Sequence, residues 1–459
     1  MHIFSRTALT GSVVEKNLPP VLKDRSLGTL HGMCGNVSCE LSLAEILKRH
    51  TFFEGSPRSG KSNAIKLTLS ALEHHLGPDS FVIVFDPRGD YLQEFYRKER
   101  GDMIISTLPR HKNVTQGWNV FAEILSVDPY NRELFIREIA NRLVKENDPR
   151  QKYFSDGARN LICGVIDQFM RMNQYSANNR TLRDILCSPV LPDGRRHPLL
   201  CFKDNPQYSH LDSYYTNPNF RAAFDFRSFA KNAAENHFIG NAFGGTGKFA
   251  IGDFVRQKGG RFLFLEYDES CGETLATMIG LLLDLAMMTM MSNETSTGSG
   301  YFVLDELHLI ECREIEKAAA FMNGQNGCIQ AATQSHSGLY ERYGEHKANS
   351  IISSFSSLFF FPCNDSVSRQ YVKALCGTTD VETLTTSGYS FRKEISPQNT
   401  VNDDALNRLR VGEAIVRIPD GDRYYPPFIF RFEKYQKKKG FQIAIATCNY
   451  SQRINNLTI

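Results

Sequence analysis

A glycine-rich loop in the first quarter of the chain carries the clearest chemical signal. The stretch FFEGSPRSGKSNA contains the spacing G-x-x-x-x-G-K-S. Loops of this kind hold nucleotide phosphates, because backbone N–H groups surround the β-phosphate and the lysine neutralises the β- and γ-phosphates. The serine hydroxyl binds Mg²⁺. The predicted nucleotide-binding residues are Gly55, Ser56, Pro57, Arg58, Ser59, Gly60, Lys61, Ser62 and Asn63.

An acidic pair much later in the chain can complete this site. In GYFVLDELH, Asp305 and Glu306 directly follow an apolar run. A phosphate-binding loop needs a carboxylate at the end of a neighbouring strand to hold the metal. Asp305 and Ser62 are therefore the predicted metal ligands, and Glu306 is the predicted general base for the attacking water. The bound ligands are predicted to be ATP and Mg²⁺, and a helix-capping acidic pair is the alternative interpretation.

Two look-alike motifs have simpler interpretations. The letters DELH at 305–308 also occur in DExH-box helicases, but the Ser-Ala-Thr element of those helicases is missing. His308 is therefore predicted to be a polar residue that begins a helix. The stretch NAFGGTGKF at 241–249 resembles a second phosphate loop, but Phe249 follows Lys248 where a hydroxyl is required. It is predicted to be a flexible turn.

The elements around the motifs predict a parallel α/β fold. HTFFEG predicts a strand before the loop, and apolar residues at helical spacing after the loop predict a helix. Continuous apolar runs such as FVIVF at 81–85 are typical of parallel strands that are buried on both faces. Further strands are predicted by RFLFLEY, YFVLDE, CIQAAT and SLFFFP.

Helical periodicity dominates the middle of the chain. We expect residues 1–130 to form the first part of a nucleotide-binding domain, 131–240 an inserted helical domain, and 241–459 the second part with a C-terminal extension. The apolar run MIGLLLDLAMMTMM at 278–291 is interrupted by Asp284 and is shorter than the roughly 20 residues that span a bilayer. It is therefore predicted to be a buried helix, and no direct membrane span is expected.

Composition adds weaker constraints. The chain has 459 residues and a formal net charge of +3, which neither indicates nor excludes a nucleic-acid partner. Its 11 cysteines include no C-x-x-C pair, and residues 1–30 resemble no secretory signal. Reduced thiols and a cytoplasmic location are therefore expected.

Three further stretches resemble the type IV coupling proteins, which are ring ATPases of bacterial conjugation and type IV secretion within the FtsK–HerA superfamily. VIVFDPRGDYLQEFY resembles their D-P-K-G-E segment, and GWNVFAEI is similar to their W-N-P-F element. GCIQAATQSHSGLYERYG resembles their strand that ends in a Gln-Ser sensor. The order and spacing of these elements carry the resemblance, which covers roughly residues 52–123 and 247–377.

The resemblance implies a RecA-like P-loop NTPase core with a mainly parallel sheet and an inserted all-α domain. It implies that Lys61, Glu306 and Gln334 are catalytic, with Gln334 sensing the γ-phosphate. It also implies a homohexamer that acts on DNA or on a secreted protein, with membrane-embedded secretion subunits as partners. Family members carry an arginine that acts on the neighbouring subunit's nucleotide, whereas this chain has Asn323 there. Arg313, Arg256 or another arginine substitutes, or hydrolysis is slow.

The leading hypothesis is an ATP-hydrolysing ring motor of the coupling-protein kind. It would translocate DNA, or deliver a nucleoprotein or protein substrate to a secretion or conjugation apparatus, in the cytoplasm or at the inner membrane through partners. One alternative is a nucleotide-gated platform that recruits secretion substrates with little turnover. Another is a HerA-like translocase that works with a nuclease partner in DNA processing or phage defence.

Overall fold

A computed structural model describes most of the chain. It covers residues 2–11, 24–145, 148–172, 177–266, 272–292, 298–387, 390–420 and 423–436, with side chains undescribed at 2–11, 384–387, 390–392, 420 and 423. The described residues cluster into two compact units. The first unit comprises residues 2–85, 259–261 and 290–436, and the second comprises 86–258 and 262–289.

The strands of the described residues are β1 (His2–Gly11), β2 (Thr29–Cys34), β3 (Val37–Ser42), β4 (Thr51–Glu54), β5 (Phe81–Phe85), β6 (Met103–Ser106), β7 (Arg261–Glu266), β8 (Gly300–Leu304), β9 (Gly327–Thr333), β10 (Ser357–Phe360), β11 (Thr378–Ser387), β12 (Ser390–Asn399), β13 (Glu413–Arg417), β14 (Pro419–Asp420), β15 (Arg423–Tyr424) and β16 (Phe428–Phe432).

The α-helices of the described residues are α1 (Leu43–Lys48), α2 (Lys61–His75), α3 (Leu92–Phe95), α4 (Val120–Leu125), α5 (Arg132–Leu143), α6 (Lys152–Arg171), α7 (Asn179–Cys187), α8 (Ser213–Thr216), α9 (Ala222–His237), α10 (Gly240–Phe243), α11 (Ile251–Gln257), α12 (Gly272–Met291), α13 (Ile315–Phe321), α14 (His336–Tyr343), α15 (Glu345–Ser353), α16 (Ser366–Cys376) and α17 (Asp403–Arg408).

A large mixed sheet forms the core of the first unit. Its strand order is β3-β2-β16-β13-β10-β4-β9-β8-β5. The strands from β10 to β5 run parallel, whereas β13, β16, β2 and β3 extend the sheet with antiparallel pairs. A separate antiparallel sheet joins β1 to the hairpin of β11 and β12. The predicted α/β fold with a mainly parallel sheet is confirmed.

The parallel strands bring the two predicted motifs to one edge of this sheet. All residues of β4, β5, β8 and β9 are buried, as their apolar sequences predict. Glu54 at the end of β4 lies opposite Thr333 of β9, and Leu304 of β8 lies opposite Ala331. Because the strands are parallel, the residues that follow them emerge at the same edge.

The second unit carries the predicted helical domain. Between residues 131 and 240, the described residues form helices α5 to α9 and short 3-10 turns, with one isolated bridge between Val190 and Arg196. The two strands of this unit, β6 and β7, pair in parallel. An all-α insertion is thus present, while the domain boundaries at 130/131 and 240/241 stay a prediction.

Helix α12 is the apolar run noted in the sequence. It is long and apolar enough to cross a membrane, but 83% of its most apolar window is buried inside the protein. Its interrupting Asp284 forms a buried ion pair with Arg142 of α5, at 2.9 Å. The burial agrees with the prediction of a buried helix, and the ion pair explains how a carboxylate is accommodated there.

Breaking this ion pair is expected to destabilise the second unit. Asp284→Ala removes the carboxylate that pairs with the buried Arg142 guanidinium, and the loss of one partner of a buried ion pair costs about 3–5 kcal/mol of unfolding free energy. Urea unfolding followed by circular dichroism measures this loss. The double substitution of both residues by methionine removes both charges, and we expect it to cost much less. A loss below about 1 kcal/mol for Asp284→Ala would contradict the prediction.

The second glycine-rich stretch is a packed turn rather than a loose one. A Cβ atom added to Gly247 would lie 1.9 Å from the carbonyl oxygen of Gly117, so only glycine fits. The Asn119 side chain donates a hydrogen bond to the Gly247 carbonyl at 2.9 Å, and Phe249 N–H donates to the Gly117 carbonyl at 3.0 Å. The stretch therefore braces the GWN segment, and its Lys248 is exposed.

Candidate nucleotide-hydrolysis site

The glycine-rich loop joins a buried strand to the N-terminus of a long helix. Strand β4 ends at Glu54, and α2 begins at Lys61 with Gly60 as its N-cap. Among the described residues, none accepts a hydrogen bond from the backbone N–H groups of Gly60, Lys61 or Ser62. The positive end of α2 and these N–H groups provide donors for a phosphate group.

Both motif glycines are required by close contacts. A Cβ atom on Gly55 would lie 2.6 Å from Phe361 Cβ and 2.8 Å from Ser59 Oγ. Gly60 has a φ of +119°, and a Cβ atom there would lie 2.7 Å from the Cα atom of Gly412. The loop formed by residues 55–62, called the cradle below, is therefore closely packed at both glycines. Its successive small residues suit a loop whose backbone N–H groups surround a phosphate group.

Lys61 lies inside this cradle. Its ammonium group donates hydrogen bonds to the Gly55 carbonyl and, at 3.3 Å, to the Ser56 carbonyl. Burial lowers the pKa of Lys61, while the negative charges of Glu306 and Asp305 act in the opposite direction. Lys61 therefore lies within electrostatic range of both carboxylates.

The acidic pair follows β8 in a conformation that is unusual for a carboxylate residue. Asp305 donates its backbone N–H to the Phe85 carbonyl at 3.2 Å, and its carboxylate accepts from Glu306 N–H at 3.1 Å. Glu306 has a φ of +53°, in the left-handed region that costs a non-glycine residue conformational energy. Both residues are buried. A strained, buried carboxylate at a strand end is typical of a functional site.

Gln334 contacts Glu306 directly. Its Nε2 donates a hydrogen bond to Glu306 Oε1 at 2.9 Å. His308 Nδ1 lies 3.5 Å from the other carboxylate oxygen of Glu306 and 3.3 Å from Thr333 Oγ1. Gln334 and Glu306 are therefore in direct contact, and the predicted roles of Lys61, Asp305, Glu306 and Gln334 stay a prediction.

His308 lies in a short helix that follows the acidic pair. It is the middle residue of the 3-10 helix Leu307–Leu309, and its carbonyl accepts a hydrogen bond from Arg342 Nε at 3.0 Å. Sequence reasoning missed its contact with Glu306, although the spacing of two residues after the acidic strand end is a usable signal.

A second buried pair was also missed. Glu54, the last residue of β4, accepts a hydrogen bond from His336 Nδ1 at 2.7 Å, and both side chains are almost fully buried. His336 begins α14 two residues after Gln334. The pair therefore ties the strand before the phosphate loop to the segment that carries Gln334. A glutamate that ends the buried strand TFFE was the available sequence signal.

The other predicted loop residues occupy the rim of the cradle. Ser62, Pro57 and Arg58 are exposed. Asn63 holds the C-terminal segment instead, because its side chain donates to the Glu433 carbonyl and accepts from Tyr435 N–H, each at 2.8 Å.

Asp86 has a structural contact of its own. In the second unit its carboxylate accepts hydrogen bonds at 2.8–3.1 Å from the backbone N–H groups of Asp90, Tyr91 and Leu92. It therefore stabilises the start of α3.

Comparison with known proteins identifies the lineage. A family model described as the type IV secretion-system coupling protein DNA-binding domain matches residues 38–421. The chain belongs to this family. The resemblance found in the sequence is thereby confirmed. No curated protein matches this coupling protein by sequence.

Solved coupling-protein structures share the fold. The unbound conjugative coupling protein TrwBdeltaN70 is 18% identical over 95% of this chain and 94% of its own, with a TM-score of 0.70. TrwB in complex with ADP and Mg²⁺ is 18% identical over 96% of this chain and 98% of its own, with a TM-score of 0.71. VirB4 of Thermoanaerobacter pseudethanolicus is 10% identical over 93% and 98%, with a TM-score of 0.52.

The position at which the sequence predicts the family's trans-acting arginine holds an uncharged side chain in this coupling protein. Asn323 lies in the 3-10 turn Met322–Gln325 that precedes β9. Of the suggested substitutes, Arg313 lies 3.4 Å from Glu311, and Arg256 lies 3.6 Å from Asp253. Each is thus engaged with an acidic neighbour within its own unit.

Proposed function

We propose that this coupling protein is an ATP-hydrolysing motor that translocates DNA or delivers a nucleoprotein substrate to a secretion or conjugation apparatus. One observation supports this proposal above the others. Glu306 is hydrogen-bonded to Gln334 at the strand edge where Lys61 lies inside the phosphate cradle. This arrangement combines a general base, a polar sensor and a phosphate-neutralising cation.

The chain's residues divide the chemistry among them. Lys61 binds the β- and γ-phosphates, and the N–H groups at the start of α2 surround the β-phosphate. Ser62 and Asp305 supply the hard oxygen ligands that suit Mg²⁺, which neutralises phosphate charge when bound. Glu306 accepts the proton of the attacking water, and the Gln334 amide orients that water.

The proposed assembly is a homohexamer in the cytoplasm that reaches the inner membrane through membrane-embedded secretion subunits. The family assignment to a DNA-binding domain supports DNA as the substrate. The TrwB complexes with ADP and Mg²⁺ and with nucleotide analogues support ATP and Mg²⁺ as ligands.

DNA is expected to stimulate ATP turnover by the purified protein. Binding to the phosphate backbone releases counterions, so the logarithm of the DNA affinity should fall by about 0.7 per contacted single-strand phosphate for each tenfold rise in salt. Turnover with and without single-stranded DNA, over a salt series, measures both effects. Electron microscopy with an ATP analogue tests for a six-membered ring.

A second candidate function follows from Asn323. Without a guanidinium group at that position, the transition state loses a stabiliser that is worth about 10³-fold or more in analogous sites. A nucleotide-gated recruitment platform would then bind ATP and secretion substrates with slow, DNA-independent turnover. Nucleotide binding without DNA stimulation would favour this platform over the motor.

A further inference from the structure

The tip of the phosphate loop is a tight turn with an arginine in a conformation that favours glycine. Ser59 N–H donates to the Ser56 carbonyl at 3.2 Å, which closes a turn over Ser56–Ser59. Pro57 fixes a negative φ at the second position, and Arg58 has a φ of +64° at the third. A turn with these signs is of type II, and its third position normally holds glycine or asparagine.

Arg58 occupies this position without a structural partner. Its side chain is exposed. Across the part of the chain that the structure describes, no carboxylate, carbonyl or aromatic ring contacts the guanidinium group. The residue therefore costs conformational energy in the folded protein and forms no contact that compensates for it. Strain of this kind at a ligand site points to a function in the bound state.

The contacts of Lys61 indicate which phosphate the first half of the loop flanks. Lys61, which neutralises the β- and γ-phosphates, reaches the first half of the loop through the carbonyls of Gly55 and Ser56. The first half of the loop therefore flanks the γ-phosphate end, while the N-terminus of α2 flanks the β-phosphate. Arg58 directly follows this first half, and its side chain is exposed.

We propose that Arg58 is a catalytic residue that binds the γ-phosphate of the nucleotide held by its own subunit. A guanidinium group donates two parallel hydrogen bonds to phosphate oxygens and keeps its charge at all working pH values. It supplies from the loop itself the positive charge that Asn323 does not supply from the neighbouring subunit. This inference rests on the proposed nucleotide function of the loop.

Nucleotide binding to Arg58→Gly tests the inference without depending on turnover. Glycine adopts the left-handed conformation freely, so the loop is retained and the melting temperature should stay equal or rise. We expect the Kd of a non-hydrolysable ATP analogue to rise about tenfold or more, because one charged double hydrogen bond is lost. The Kd of ADP should change less than about twofold. Arg58→Lys keeps the positive charge but cannot donate two parallel hydrogen bonds. Its Kd for the ATP analogue should therefore lie between that of the wild type and that of Arg58→Gly.

The controls separate this inference from the proposed function. The role of Arg58 would be overturned if Arg58→Gly left the ratio of the Kd values for ADP and the ATP analogue unchanged. A lower melting temperature of Arg58→Gly would also overturn it. If the wild-type protein binds neither nucleotide, the proposed function itself fails. If it binds both and Lys61→Ala abolishes that binding while Arg58→Gly keeps the wild-type preference, only the inference on Arg58 fails.

Discussion

Alanine at Lys61 is expected to abolish DNA-stimulated ATP turnover, with a loss of about 100-fold or more. The buried ammonium group is the cation inside the phosphate cradle, where it now binds the carbonyls of Gly55 and Ser56. Removing it leaves the developing charge on the phosphates without its neutralising partner. Nucleotide affinity should also fall, because charged hydrogen bonds contribute about 1.5–3 kcal/mol each. Turnover assays and nucleotide titrations measure both effects.

Lys248→Ala is the matched control for this substitution. Lys248 also follows a glycine in a glycine-rich stretch, but it is exposed on a turn that packs against Gly117. Its removal should leave turnover within about twofold of wild type. Unchanged turnover in Lys61→Ala would refute the nucleotide site, and a loss in Lys248→Ala would show that the second stretch has a role of its own.

Glutamine at Glu306 is expected to separate binding from hydrolysis. The amide keeps the size of the side chain and an oxygen that can accept the Gln334 hydrogen bond, but it cannot accept a proton from water. The turnover number should therefore fall about 10²–10⁴-fold, the usual contribution of a general base. The Kd values for ADP and for a non-hydrolysable ATP analogue should stay near those of the wild type.

Glu341→Gln serves as the comparison for Glu306→Gln. Glu341 is an exposed glutamate of α14 in the same unit, and it is not one of the predicted site residues. Its turnover should equal that of the wild type. If Glu306→Gln hydrolyses ATP at the wild-type rate, Glu306 is not the base, and the acidic pair has the helix-capping or structural role that the sequence left open.

Under the proposed function, the contacts of Glu306 would link hydrolysis to movement. Gln334 binds Glu306, and His336, two residues further on, binds Glu54 immediately before the phosphate loop. Side-chain contacts therefore run from Glu306 through residues 334–336 to the start of the loop. If the loop binds ATP as proposed, hydrolysis would change the ligand beside this connection, as in nucleotide switches that act on a bistable element.

Local patterns predicted much of this protein. The phosphate loop is a contiguous motif, so its strand, cradle and helix follow from FFEGSPRSGKSNA alone. The apolar runs at β5 and β8 predicted buried parallel strands, because strands covered on both faces need apolar side chains throughout. The length and interruption of the run in α12 predicted a buried helix. The predicted roles of the individual site residues, and the domain boundaries, stay predictions.

The tertiary structure decided what depends on distant partners. The sequence could not show that Asp284 binds Arg142 or that Glu54 binds His336, because each pair joins elements that meet only after the chain has folded. The sequence also did not predict that β13, β16, β2 and β3 extend the sheet with antiparallel pairs. The pairing of these strands depends on which strand edges meet in the folded chain. The left-handed conformation of Arg58 also had no sequence signal. The tight turn that the hydrogen bond from Ser59 N–H to the Ser56 carbonyl closes sets the φ angle of Arg58, and the residue type does not.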